Sequence, residues 1–338
     1  MPVDFHQIKL LSGDTREPLT LDEIIATCHC AFGEAGHVES VEGLDGGEFN
    51  AVYRVRMAGR EPVILRAAPP ATRVLPWHEH ALMRREVAVQ PYFAPLGPLL
   101  PRTLFADFTR QLMPRDYLFQ QDMPGVRWLD VEQKLSPDEE ESLWREFAAI
   151  LQRIHAVTGD TFGQPWPGRH YASWSATALD WLDLTTAEVT QVGEDIRSVL
   201  LVRDIAARHA DLLDEIHTPR LLHGDLWTFN LLIERGPATP PRITAVLDYD
   251  RAIWGDPFFE WTFHLLRRRA RPELRAAFLE AYGAPDHTPG QRLREAVYEA
   301  IHLGNALAYG VRSGNRAVVL RATGWLDEIA ADLRRAFI

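Results

Sequence analysis

The sequence predicts an α+β chain in two lobes, a small N-terminal lobe built on an antiparallel sheet and a larger, mainly helical C-terminal lobe. Three observations predict this. At 338 residues the chain is too long for one core of ordinary size. Strand-favouring apolar runs crowd between residues 38 and 66 and return at 117–121. Beyond residue 136 apolar residues recur at helical spacing, interrupted by one short pair of strands. The expected bounds are 1–119 for the N-terminal lobe, 120–126 for a hinge and 127–338 for the C-terminal lobe.

In order along the chain, Thr20-Leu21-Asp22-Glu23 is a capping box, in which the Thr hydroxyl and the Glu carboxylate each satisfy a backbone N–H at a helix start. It opens a helix through Ile24 and Cys28 that stops at Gly33. Val38–Leu44, Ala51–Arg56 and Pro62–Arg66 follow as three antiparallel strands. The loop between the first two holds Gly46, Gly47 and Asn50. Two adjacent glycines let backbone amides approach an anion with no side chain between. Alone they make a hairpin turn; followed by strands that end in a cation, they fit a cover over phosphates. Arg66 is that cation, and a helix over Glu79–Phe93 carries Glu86 as its counter-charge. An ordinary surface ion pair is the competing reading of Arg66 and Glu86.

Tyr117–Gly125 is an apolar strand running into a Pro-Gly break, a connector whose backbone groups, at Gln121 and Met123, are placed to meet a nucleobase edge. Ser136-Pro137-Asp138-Glu139 combines an N-cap, a first-turn proline and a capping-box Glu, and Leu143, Phe147, Ile150, Leu151 and Ile154 form one helical stripe behind it. His155 is expected at the surface or as a cap. The pattern is helical from Trp174 to His217 and again after Asp256-Pro257, with no strand expected after Asp248. Nine of the ten tryptophans, all but Trp77, fall in the second lobe, most as core residues and one or two as lining for a pocket.

The chemistry concentrates in His223-Gly224-Asp225 with Asn230, followed by Asp248. Leu231–Ile233 and Ile243–Leu247 are short strand-favouring runs separated by turn-formers, and as a hairpin they bring Asn230 and Asp248 together at its open end. Each residue alone would be an ordinary turn-former. The ordered set is different: an amide and a carboxylate suit Mg2+, which binds through few protein oxygens and keeps waters and phosphates, and Asp225 stands where a hydroxyl would lose its proton. The spacing is that of phosphoryl transfer. His223 fits a structural role, bonding the backbone of a tight turn.

Composition narrows the partners. Lys and Arg number 36 against 47 Asp and Glu, a formal net charge of −11 that argues against nucleic acid. Cys28 and Cys30, one residue apart, read as reduced and structural. Neither a leader-like start nor a run of about eighteen apolar residues is present, so no membrane partner and a cytoplasmic location are expected.

These residues together resemble the aminoglycoside phosphotransferase and choline kinase-like family, small-molecule kinases with the bilobal protein-kinase fold. The resemblance rests on Gly46-Gly47 with Asn50, Leu65-Arg66, Arg85-Glu86, Asp122-Met123-Pro124-Gly125, His223-Gly224-Asp225 with Asn230, and Asp248 with Gly255-Asp256-Pro257. It implies a catalytic base at Asp225, Mg2+ on Asn230 and Asp248, and phosphates of ATP or GTP anchored by Arg66, with Arg replacing the Lys of protein kinases as in many bacterial members. It further implies that Asp256 caps the next helix and steadies the metal loop. The acceptor implied is a small-molecule hydroxyl, an antibiotic of aminoglycoside, nucleoside or macrolide type first, a metabolic alcohol such as choline, homoserine or a sugar second. The aromatic residues around the catalytic segments favour a flatter, less charged acceptor. A nucleotide-binding pseudokinase is disfavoured by the intact Asp225, Asn230 and Asp248.

Overall fold

The computed structural model describes residues 2–10, 16–45, 50–70, 80–165, 168–236 and 239–338. The N-terminal lobe comprises β1 (Asp4–His6), α1 (Leu21–Phe32), β2 (Val38–Gly43), β3 (Ala51–Met57), β4 (Val63–Ala67), α2 (Leu82–Val89), β5 (Thr103–Asp107) and β6 (Tyr117–Gln121). Its six strands run in the order β1-β2-β3-β4-β6-β5, antiparallel except that β1 lies parallel to β2. β2, β3 and β4 are the three expected strands; β1, of three residues, is too short to show a period in sequence, and β5 is an edge strand whose burial pattern does not alternate.

Strand alternation gives this sheet two unlike faces. Tyr53 and Val55 of β3 with Val63, Leu65 and Ala67 of β4 are buried in a core that α1 covers through Ile24 and Cys28. The opposite face presents Val52, Ile64, Arg66 and Gln120 to a cavity. The first capping box forms as read, with Glu23 N–H donating to Thr20 Oγ1 and Thr20 N–H to Glu23 Oε2, and the helix ends at Gly33 with φ +59°. Cys28 is buried, its thiol pushed up to about 12 by burial, whereas Cys30 is exposed and takes no part in the core. The helix carrying Glu86 is shorter than expected: α2 stops at Val89 and a 3-10 segment takes over at Gln90, because Pro91 has no N–H to donate. Glu79, its expected start, lies outside the described residues.

The C-terminal lobe follows with β7 (Val126–Arg127), α3 (Trp128–Val131), α4 (Pro137–His155), β8 (Phe162–Gly163), β9 (His170–Tyr171), α5 (Trp174–Gln191), α6 (Arg197–Arg208), α7 (Ala210–Leu213) and β10 (Arg220–Leu222). It continues with β11 (Leu231–Glu234), β12 (Arg242–Val246), β13 (Ile253–Gly255), α8 (Trp261–Arg268), α9 (Pro272–Tyr282), α10 (Pro289–Arg312) and α11 (Arg316–Phe337). The expectation of no strand after Asp248 fails at β13, which pairs antiparallel with β10 and carries only three residues. His155 is also corrected. It is buried, its Nδ1 2.6 Å from Tyr282 Oη, because the helical stripe of α4 continues through the last turn.

Two apolar clusters hold this lobe. One packs α5, α6, α10 and α11 around Trp174 and Tyr298; the other packs α4 and α9 with the β11–β12 hairpin. Trp128, Trp144, Trp174, Trp181 and Trp254 are core residues, while Trp227 and Trp261 are partly exposed and line the cavity. No described helix is long and apolar enough to cross a membrane. Phe147 is fully buried, with ring centroids of Trp144 at 5.5 Å and Phe278 at 5.6 Å. Phe147→Ala is expected to destabilise the chain by about 3–5 kcal/mol, measured by urea denaturation.

Candidate active site

The β11–β12 hairpin forms in the expected sense, with Leu231 opposite Val246 and the Leu247 N–H donating to Asn230 O at 2.9 Å. Asn230 and Asp248 therefore leave the same end of the hairpin. Asp248 sits in the left-handed region at φ +57°, which Asp tolerates better than most residues and which turns its side chain away from the strand direction. That carboxylate is 39% exposed and lines the cavity. Asn230 is buried and its Nδ2 donates to the backbone oxygen of Asp225 at 2.7 Å, which leaves its amide oxygen for a cation. Asp225 is thus bonded directly to Asn230, whose backbone oxygen in turn holds the residue before Asp248.

His223 links them from beneath. Its Nε2–H donates to Leu247 O at 2.9 Å and its Nδ1 accepts the Asp225 N–H at 3.4 Å, so one neutral tautomer joins the catalytic loop to the residue before Asp248. Burial lowers its pKa and favours that neutral form. Gly224 has φ +84°, and a Cβ there would stand 2.1 Å from Arg251 O, so only glycine fits.

The sequence pattern left out the residue that holds this loop. Glu260, fully buried, accepts the N–H groups of His223 at 2.7 Å and Gly224 at 2.8 Å. Burial alone would raise its pKa, but His155, with Nε2 3.7 Å away, and the His223 N–H hold it below the ordinary glutamate value. Asp256, expected to steady the metal loop, does something narrower. It accepts the Phe258 N–H at 3.1 Å, capping a 3-10 turn rather than an α-helix, and accepts a hydrogen bond from the Tyr298 hydroxyl at 2.6 Å.

From the other lobe, Arg66 reaches across the cavity. Its Nη1 lies 2.7 Å from both Glu86 oxygens and its Nη2 lies 2.9 Å from Asp248 Oδ1. Both Arg66 and Glu86 are buried, which rules out the surface ion pair. Burial opposes the guanidinium charge, yet the Glu86 and Asp248 charges outweigh it and hold the group charged. Gln120, also absent from the sequence reading, donates to Glu86 Oε1 at 2.7 Å and accepts from Arg66 Nη1 at 3.2 Å. Asp250 is buried beside them; burial and the Asp248 and Glu86 charges push it well above the ordinary aspartate range, favouring its neutral form.

These groups line one cavity of about 1130 Å³ between the lobes. Asn50, Gln121 and Met123 also line it, with Val52, Ile64 and Leu232 as apolar walls. Arg102 engages Gln121 twice, its Nε donating to the Gln121 side-chain oxygen at 3.2 Å and its carbonyl accepting the Gln121 N–H at 2.9 Å. Gly46 and Gly47, the expected phosphate cover, lie outside the described residues. Among the described residues no three His, Cys, Asp or Glu side chains converge as a metal cluster. The donor set present, one amide oxygen and one carboxylate facing open space, fits Mg2+ that keeps its waters and its ligand phosphates.

The model of the phosphotransferase enzyme family matches residues 40–295. The chain belongs to this family. It is a phosphotransferase, and its fold is the bilobal protein-kinase-like one of solved aminoglycoside kinases. A thermostable mutant of aminoglycoside phosphotransferase APH(4)-Ia, in ternary complex with AMP-PNP and hygromycin B, is 22% identical with a TM-score of 0.65, over 88% of this chain and 95% of that one. A putative aminoglycoside phosphotransferase from Ralstonia eutropha is 18% identical with a TM-score of 0.63, over 92% and 96%. The GDP and kanamycin complex of APH(2")-IIIa is 16% identical with a TM-score of 0.56, over 90% and 97%. No curated protein matches the phosphotransferase.

Glu260 gives the site a pH signature. Its folded pKa lies below its unfolded one, so its contribution is present above the ordinary glutamate value of about 4.3 and is lost as pH falls through the folded value. The stability gap between wild type and Glu260→Gln, measured by denaturant titration, is expected to be wide at pH 7 and to narrow below about pH 4.5. A gap that stays constant over that range would contradict the charged assignment.

Proposed function

We propose that this phosphotransferase moves the γ-phosphoryl group of ATP or GTP to a hydroxyl of a small molecule held beside Asp225. The observation that carries the reading is the joining of Asp225, Asn230 and Asp248 by hydrogen bonds and backbone pairing at one cavity wall, opposite the Arg66–Glu86 pair. The Asp225 carboxylate, 34% exposed, orients the acceptor hydroxyl and takes its proton as the new P–O bond forms and the bond to the leaving nucleoside diphosphate breaks. Arg66 anchors phosphate oxygens while Glu86 and Gln120 hold its guanidinium in place. Asn230 and Asp248 are the residues that would hold Mg2+, which when bound neutralises phosphate charge. Backbone groups near Gln121 and Met123 receive the nucleobase, between Val52, Ile64 and Leu232.

An antibiotic hydroxyl is the first acceptor class, since structural relatives carry hygromycin B or kanamycin. Trp227 stacks on Phe229 at 5.4 Å and 18°, a flat wall two residues beyond Asp225 that favours a nucleoside or macrolide type over a polycationic sugar. Metabolic alcohols such as choline, homoserine or a sugar form the second reading. Asp225→Asn is expected to lower kcat by about 10²- to 10⁴-fold while nucleotide affinity, measured by calorimetry, stays within about twofold. Unimpaired turnover in that variant, scored by nucleotide consumption against antibiotics and small alcohols with ATP and with GTP, would remove Asp225 from its role.

A further inference from the structure

Six arginines line the cavity, and five of them face a carboxylate. Arg54 meets Asp122 at 2.7 Å, Arg110 meets Asp116 at 2.8 Å, Arg127 meets Asp130 at 2.8 Å, Arg66 is shared by Glu86 and Asp248, and Arg251 lies 3.8 Å from Asp225. Arg269 has no such partner among the described residues. The charge acting on it is another cation, Arg321 of α11, which lies over the Trp325 ring at 5.7 Å and likewise has no carboxylate partner there.

The position of Arg269 follows from α8. This helix begins at Trp261, next to the Glu260 that holds the catalytic loop, and Arg269 is its C-cap. At 1.5 Å per residue Arg269 stands about 12 Å along the wall from Trp261. Both side chains line the cavity. The wall leading away from Asp225 therefore offers the Trp227 and Trp261 rings, then a guanidinium with its fork unoccupied and a second guanidinium nearby. Two like charges without an acid between them repel, and an anion placed there relieves the repulsion. A planar fork suits a carboxylate or phosphate in two-point contact. Ammonium groups of a polycationic sugar would meet like charge at Arg269.

We propose that Arg269 binds a carboxylate or phosphate carried by the acceptor, so that the hydroxyl presented to Asp225 belongs to an anionic small molecule. The assignment rests on the phosphotransferase reading above and names its substrate class. Arg269 is exposed and has no side-chain hydrogen bond or ion pair among the described residues, so changing it breaks none.

The test uses the full chain with Mg2+ and ATP or GTP, and follows nucleotide consumption and the phosphorylated product by 31P NMR. Acceptors are chosen in charge series: D-glycerate, glycerol 3-phosphate and uridine 5'-monophosphate against neutral glycerol and uridine, and against cationic choline and kanamycin. The anionic members are expected to be the turned-over ones. Arg269→Glu is expected to raise their KM by about tenfold or more with kcat changed less than about threefold, and added salt to raise the wild-type KM. Preference for choline or kanamycin, or an unchanged KM in Arg269→Glu, overturns the anionic assignment and leaves the phosphotransferase reading standing. Nucleotide binding without turnover of any anionic member overturns it too, whereas failure to bind nucleotide at all overturns the reading beneath it.

Discussion

A single guanidinium spans the two lobes at the place where chemistry is read. Arg66 leaves β4 of the N-terminal sheet, is clasped by Glu86 of α2 and ends on Asp248 beyond the β11–β12 hairpin. Each partner comes from a different element, so these contacts fix the sheet, the helix and the loop that carries Asp248 with respect to one another. Such a buried arrangement is favourable only when every charge is met, because removing one partner leaves the others desolvated and unpaired. Gln120 adds a second donor to Glu86 Oε1 and Asp250 favours its neutral form, which keeps the cluster in balance. Arg serves here better than Lys would, since a planar fork reaches two carboxylates at once.

Around that span the C-terminal lobe builds a rigid support. Glu260 draws two backbone N–H groups of the catalytic loop onto one carboxylate, His223 joins the loop to Leu247, and Asn230 closes back on Asp225. None of these three has to move for Asp225 to face the cavity. Preorganisation of this kind is where phosphoryl transfer gains most, because little covalent work falls to the protein.

What was legible in the sequence was local. The two capping boxes, the hairpin and the Asp225, Asn230 and Asp248 spacing each lie within about twenty-five residues, and hydrogen-bond chemistry ties such patterns to one geometry. What escaped was non-local or too short to carry a period. Glu260 stands far down the chain from the loop it holds and looks in sequence like any helix-start acid. Gln120 looks like an exposed strand residue until β4 is laid beside it, and β13 has three residues and no alternation. His155 was misplaced because a polar side chain at a helix end usually faces solvent; here Tyr282 and Glu260 converge on it. Arg269 could not be told from its neighbours in the Arg267–Arg271 run, since only the fold decides which of them meet Glu299 and which face the cavity.

The central claim is that Arg66 bridges the sheet to the metal loop and anchors the phosphates. The most direct measurement is kcat/KM for the nucleotide in Arg66→Gln, with folding verified by circular dichroism. A loss of about 100-fold or more is predicted, carried by both KM and kcat. A value within about twofold of wild type, in a folded protein, would contradict the account.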